Sequence, residues 1–98
     1  VKTVNQLEPL PARHFLRLEV SDRPGVFAQI AALFAETGIS MESVVQRRLH
    51  DSAAEIAIVT HEVSATVLNR VVASLNELTD FRCLHSVFPV MKEEADQL

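Results

Sequence analysis

Five consecutive residues, Ser21-Asp22-Arg23-Pro24-Gly25, hold the most suggestive local chemistry of the chain. They separate HFLRLEV (His14 to Val20), in which Leu16, Leu18 and Val20 alternate with Arg17 and Glu19, from a stretch in which Val26, Phe27, Ile30, Leu33 and Phe34 recur every three or four residues. The first pattern is that of a strand with one buried face and the second that of an amphipathic helix. A helix beginning at this turn has amide hydrogens without an intrahelical partner and a partial positive charge, so it favours a carboxylate. Those amides belong to Gly25, Val26 and Phe27, and Asp22 beside them offers a negative charge to an ammonium group. Together they suit the two charged ends of a small amino acid. A plainer account serves the same residues: Asp22 is a favoured capping type, Pro24 suits a first helical turn, and Gly25 permits close approach of a backbone or a ligand. Residue types alone leave both open.

Gln46 is a second candidate, because it interrupts an otherwise apolar strand and its amide can hydrogen-bond a ligand; an exposed position on an edge strand accounts for it equally well. Other groups carry less. His14, His50, His61 and His85 are scattered, without the close helical or hairpin spacing of a zinc site, and read as surface or strand-end imidazoles, so no metal ligand is assigned. Cys83 stands alone on an apolar strand and reads as a buried structural thiol. Asp22, Glu42, Glu55 and Glu62 lie on different elements, with nothing to pair them as acid and base. There is no Walker loop and no GxGxxG, Ser43 and Ser86 lack a nucleophile elbow, and Arg47-Arg48 reads as a solvated strand end. No catalytic residue is assigned.

The elements that must position the turn follow in order. Residues 1–13 contain Pro9 and Pro11 and predict a linker or extended arm. After the first strand comes the helix, with Gly38 as its terminator. Ile39 to Leu49 predicts a second strand, His50 to Ala53 a polar turn, and Ala54 to His61 a third strand. Ile56-Ala57-Ile58-Val59 is apolar on both faces, which predicts a central strand whose second face is covered, most simply by another copy of the domain. Ser64 to Leu78 predicts a second helix with Ser64 as cap, and Asp80 to Val90 a fourth strand that Pro89 confines to an edge. Residues 91–98 form a charged tail. The order βαββαβ, with right-handed crossovers, gives an α+β, ferredoxin-like sandwich of a four-stranded antiparallel sheet with both helices on one face, over residues 14–90. That architecture names no function.

Composition sets the outer bounds. Ninety-eight residues, 48% of them apolar, make one small folded domain. A net charge of −4, with no Trp, no Tyr and no basic run, lacks the footprint of a nucleic-acid binder. No apolar stretch is long enough to span a bilayer. One cysteine excludes an internal disulfide and makes a reducing cytoplasm the default. Val1 in place of Met fits a piece cut from a longer protein and fits a processed chain equally well.

DRPGVFAQIAALFAETGIS resembles the signature of the ACT domain, a small ferredoxin-like regulatory module that binds amino acids, usually between two copies. ISMESVVQ and AEIAIVTHEV narrow the likeness to the C-terminal ACT domain of monofunctional bacterial homoserine dehydrogenases, and it covers about His14 to Val90. This resemblance implies feedback control of threonine, methionine and isoleucine biosynthesis, with threonine as the expected effector. It implies a homodimer or larger homo-oligomer through the sheet, and no cofactor in this chain, the NAD(P) site lying in an upstream catalytic part. Carried over by position, the effector contacts are Asp22, the amides of Gly25, Val26 and Phe27, and Gln46; Ser40 stands where many ACT domains carry Asn. Two other readings stand beside it: a dimerisation module without a ligand, and an ACT domain of another parent, such as a stringent-response synthetase or an acetolactate synthase regulatory subunit.

Overall fold

A computed structural model describes residues 10–90, so most of the expected arm and the charged tail at 91–98 lie outside the described residues. The elements are β1 (Arg13–Ser21), α1 (Val26–Glu36), β2 (Met41–Arg48), β3 (Ala53–Thr60), α2 (Ala65–Leu75) and β4 (Phe81–Val90). Ala12 extends the sheet by one antiparallel bridge to Val63. The sheet is antiparallel in the order β2-β3-β1-β4, the ferredoxin-like arrangement expected.

Alternation decides which face is covered. Leu16, Leu18 and Val20 of β1 and Ile56 and Ile58 of β3 point the same way and meet Val26, Ile30 and Phe34 of α1 and Leu68, Val71 and Leu75 of α2. Both helices therefore share one face, and burying that apolar stripe is the main force holding the two layers together. The other face carries Phe15, Arg17 and Glu19 of β1 beside Glu55, Ala57 and Val59 of β3. In the doubly apolar run of β3, Ile56 and Ile58 enter the core while Ala57 and Val59 are half-buried on the open face. Among the described residues no helix is long and apolar enough to cross a membrane.

The ends of the elements explain their placement. Gly38, at φ 79°, closes α1: its amide donates to the Ala35 carbonyl and that of Ile39 to the Phe34 carbonyl, the Schellman pattern. Ser64 caps α2, its Oγ accepting from the Val67 amide at 3.2 Å. Asp51 and Ser52 both have positive φ, 59° and 57°, so β2 and β3 are joined through the type I′ geometry whose twist matches the strands. Pro89 is on edge strand β4, where a missing amide hydrogen is tolerated.

Three readings of single residues are corrected. His14 is buried, at 8% exposure, and is no surface imidazole; its Nδ1 has no hydrogen-bond partner among the described residues. Cys83 is exposed, not a core thiol. Asp22 does not cap α1: the N-cap is Gly25, at φ 88°, and no side chain accepts from the first turn.

Candidate functional site

At the N-terminal end of α1 the turn, the end of β1 and the facing parts of β2 and β3 enclose an open cleft of about 250 Å³. That volume leaves room for a small amino acid together with several waters. Asp22, Gly25, Val26, Phe27 and Gln46 all line it, over a floor of Val20, Ala54 and Ile56. Gln46 arrives there because β2 pairs with β3 so that Gln46 stands opposite Ile56, on the helix-facing side. Val45 and Arg47 point to the other face.

The turn is held on both sides. The Asp22 amide donates to the Ser52 carbonyl of the β2–β3 turn at 2.7 Å, and the Ser21 amide to the Asp80 carbonyl before β4 at 2.8 Å. Arg23 also reaches Asp80, Nη1 to Oδ1 at 3.3 Å. These bonds fix the backbone that presents Asp22.

The amides divide differently from expectation. That of Val26 donates to the Arg23 carbonyl at 3.3 Å, whereas those of Gly25, Phe27 and Ala28 have no backbone partner among the described residues. Ala28, which residue types did not flag, lines the cleft as well. Left-handed backbone at Gly25 brings the chain into the first turn without a capping side chain, so anion-seeking donors remain there. The carboxylate of Asp22 is occupied by Arg48, Nε to Oδ2 at 3.1 Å, an exposed pair. Arg48 lies two residues beyond Gln46 on the same face of β2, so the strand period alone was a signal for it.

Ser40 does not join this group. It precedes β2 at the opposite end of the strand, where its amide donates to Nδ1 of His61 at 2.9 Å and its carbonyl accepts from the His61 amide at 3.0 Å.

On the open face the charges are ordered by register. Glu55, whose side chain is 12% exposed, accepts from Arg47 at 2.9 Å and from Arg17 at 3.1 Å. The Arg47 hydrogen bond foremost, against the opposing effect of burial, and then that of Arg17, hold its carboxyl below the usual range. Glu19 stands opposite Glu55 and is served by His85 and Arg82 on β4.

The sandwich, with its cleft at the strand-to-helix turn, is that of a small regulatory module: residues 14–80 match the ACT domain family, to which this chain belongs. The chain is 34% identical over 91 residues to the homoserine dehydrogenase of Bacillus subtilis, covering 91% of this chain and 21% of that protein. A homoserine dehydrogenase structure from Thiobacillus denitrificans superposes with a TM-score of 0.72 at 24% identity, covering 92% of this chain and 19% of that one. The ACT domain from the GTP pyrophosphokinase of Chlorobium tepidum superposes at 0.61 with 12% identity, over 82% of this chain and 99% of that domain. This chain spans about a fifth of the length of the curated relatives it matches.

Proposed function

We propose that this chain is the effector-sensing domain of a homoserine dehydrogenase and that threonine is its effector, giving feedback control of threonine, methionine and isoleucine biosynthesis. The observation that carries the reading is the convergence of Asp22, the unpartnered amides of Gly25 and Phe27, and Gln46 on one small cleft. Asp22 takes the effector's ammonium group and the helix amides its carboxylate. The apolar floor of Val20, Ala54 and Ile56 accepts a methyl, and the Gln46 amide bonds a hydroxyl. The relatives' identity supports the choice of parent. In this reading the NAD(P)-dependent reduction of aspartate semialdehyde belongs to the rest of a cytoplasmic parent enzyme, and this chain contributes no catalytic group.

Control then works by linkage. Two copies pair through the sheet, and threonine stabilises one arrangement of the pair; the parent responds only as far as binding differs between states, typically by about 1–3 kcal/mol. A thermal-shift titration of this chain tests the reading, with threonine against serine, isoleucine, methionine and lysine. Threonine at 100 times its dissociation constant adds about 2.7 kcal/mol, a rise in Tm that the others do not reproduce. No rise with any of them in a folded dimer overturns it.

The second reading, a dimerisation module without an effector, is favoured by the open face itself. Val45 and Phe88 are 60% and 49% exposed there, and Phe88 stacks on Phe15 with ring centroids 5.0 Å apart. The same titration separates the two.

A further inference from the structure

The open face of the sheet brings together three side chains that the sequence keeps far apart. Glu19 of β1 stands directly opposite Cys83 of β4. Next along β4 the ladder slips: Leu84 faces Leu18 and Ser86 faces Arg17, so His85 has no partner on β1. Two residues from Cys83, His85 shares its face by the strand period, with Nε2 2.9 Å from Oε1 of Glu19 and 3.5 Å from Sγ of Cys83. The three donor atoms lie within 4.8 Å of one another. The site is open to solvent, the His85 and Glu19 side chains being 36% and 25% exposed.

We propose that Glu19, Cys83 and His85 form a binding site for a borderline divalent transition-metal ion such as zinc, with solvent as the fourth ligand. Donor chemistry selects the class of ion. Calcium and magnesium take oxygen ligands, whereas one thiolate, one imidazole and one carboxylate form a mixed set that zinc and its neighbours accept. The spacing agrees. With metal–sulfur and metal–nitrogen distances of about 2.3 and 2.05 Å, tetrahedral geometry sets sulfur and nitrogen about 3.6 Å apart, close to the separation present. Nitrogen and oxygen ligands sit about 3.3 Å apart in such a shell, so Glu19 and His85 need only part by a few tenths of an ångström from hydrogen-bond contact. Arg82 is the internal competitor, its Nη1 3.9 Å from Oε2 of Glu19. The two carboxylate oxygens are thus divided, Oε1 toward the ion and Oε2 toward the guanidinium. A bound ion ties edge strand β4 to β1 at the bulge, where the ladder is weakest.

Cobalt(II) titration of the whole chain, under a reductant that does not chelate, tests the site. The expected result is one ion per chain, with a thiolate-to-cobalt charge-transfer band and the intense visible bands of four-coordinate cobalt, all displaced by zinc. Cys83→Ser abolishes the charge-transfer band. His85→Ala and Glu19→Gln each weaken zinc binding by about tenfold or more, since even outer-shell changes cost that much. Arg82→Gln strengthens it by removing the competitor. None of the four residues belongs to the buried core, and far-ultraviolet circular dichroism checks that each variant is folded. Absence of the charge-transfer band in the unaltered chain, or zinc affinity unchanged in both Cys83→Ser and His85→Ala, overturns the proposal.

Discussion

Nε of Arg48 lies 3.1 Å from a carboxylate oxygen of Asp22, joining the end of β2 to the turn that leads into α1. Because Asp22 spends its carboxylate on this exposed pair and not on capping, its removal has little structural cost: isolated surface pairs contribute about 0–1 kcal/mol. Asp22→Ala is expected to lower threonine affinity by about tenfold or more while shifting the denaturation free energy by no more than about 1 kcal/mol. Calorimetric titration beside urea unfolding measures both. A large stability loss with intact binding would contradict the assigned role.

The two helix starts respond to different substitutions. Gly25→Ala meets open space around the added Cβ, so its cost is the strain of left-handed backbone, about 1–2 kcal/mol. Ser64→Ala loses the bond to the Val67 amide and costs about 1 kcal/mol. Urea denaturation reads both, and only the Gly25 change is expected to weaken effector binding as well.

Glu55 gives the fold a dependence on acid. A carboxylate held below its unfolded value stabilises the folded state above an unfolded pKa of about 4.3, and that contribution is lost as pH falls through the lowered folded value. Arg47→Ala, which removes the leading cause, is expected to flatten this acid limb. Thermal melts between pH 6 and the acid transition show it, and added salt reduces the difference because Arg47 is largely exposed.

Val45→Glu places a charge on the uncovered sheet face without touching the core, Val45 being mostly exposed in the single chain. Sedimentation is expected to show weakened self-association with an unchanged circular dichroism spectrum. Association that survives this change means the copies meet elsewhere.

The layers were legible because burial is periodic: Leu16, Leu18 and Val20 on one strand, and Ile30 and Phe34 on one helix, announce a shared apolar side. Asp22 was harder to read. Capping propensity belongs to a residue type, whereas the cap position here was settled by backbone handedness at Gly25, three residues on. Cys83 was misjudged because the alternation of β4 is broken by two register shifts, and a bulge has no signature in residue type alone. Neither the Glu19, Cys83 and His85 group nor the clamp of two arginines on Glu55 was readable, since both depend on cross-strand register. The cleft was half-legible: the turn and Gln46 stand out in the chain, but Arg48 required knowing which face of β2 turns inward, and Ser40 falls at the wrong end of that strand.

The backbone bonds from Asp22 to Ser52 and from Ser21 to Asp80 make one end of the sheet a junction box. Three connections of the chain, β1 to α1, β2 to β3 and α2 to β4, are wired together there, and none of those bonds reaches the end where Ser40 and His61 meet. Ordering the strand-to-helix turn therefore stiffens two further connections at once. A short turn in the first half of the chain is in this way bonded to backbone drawn from the second half.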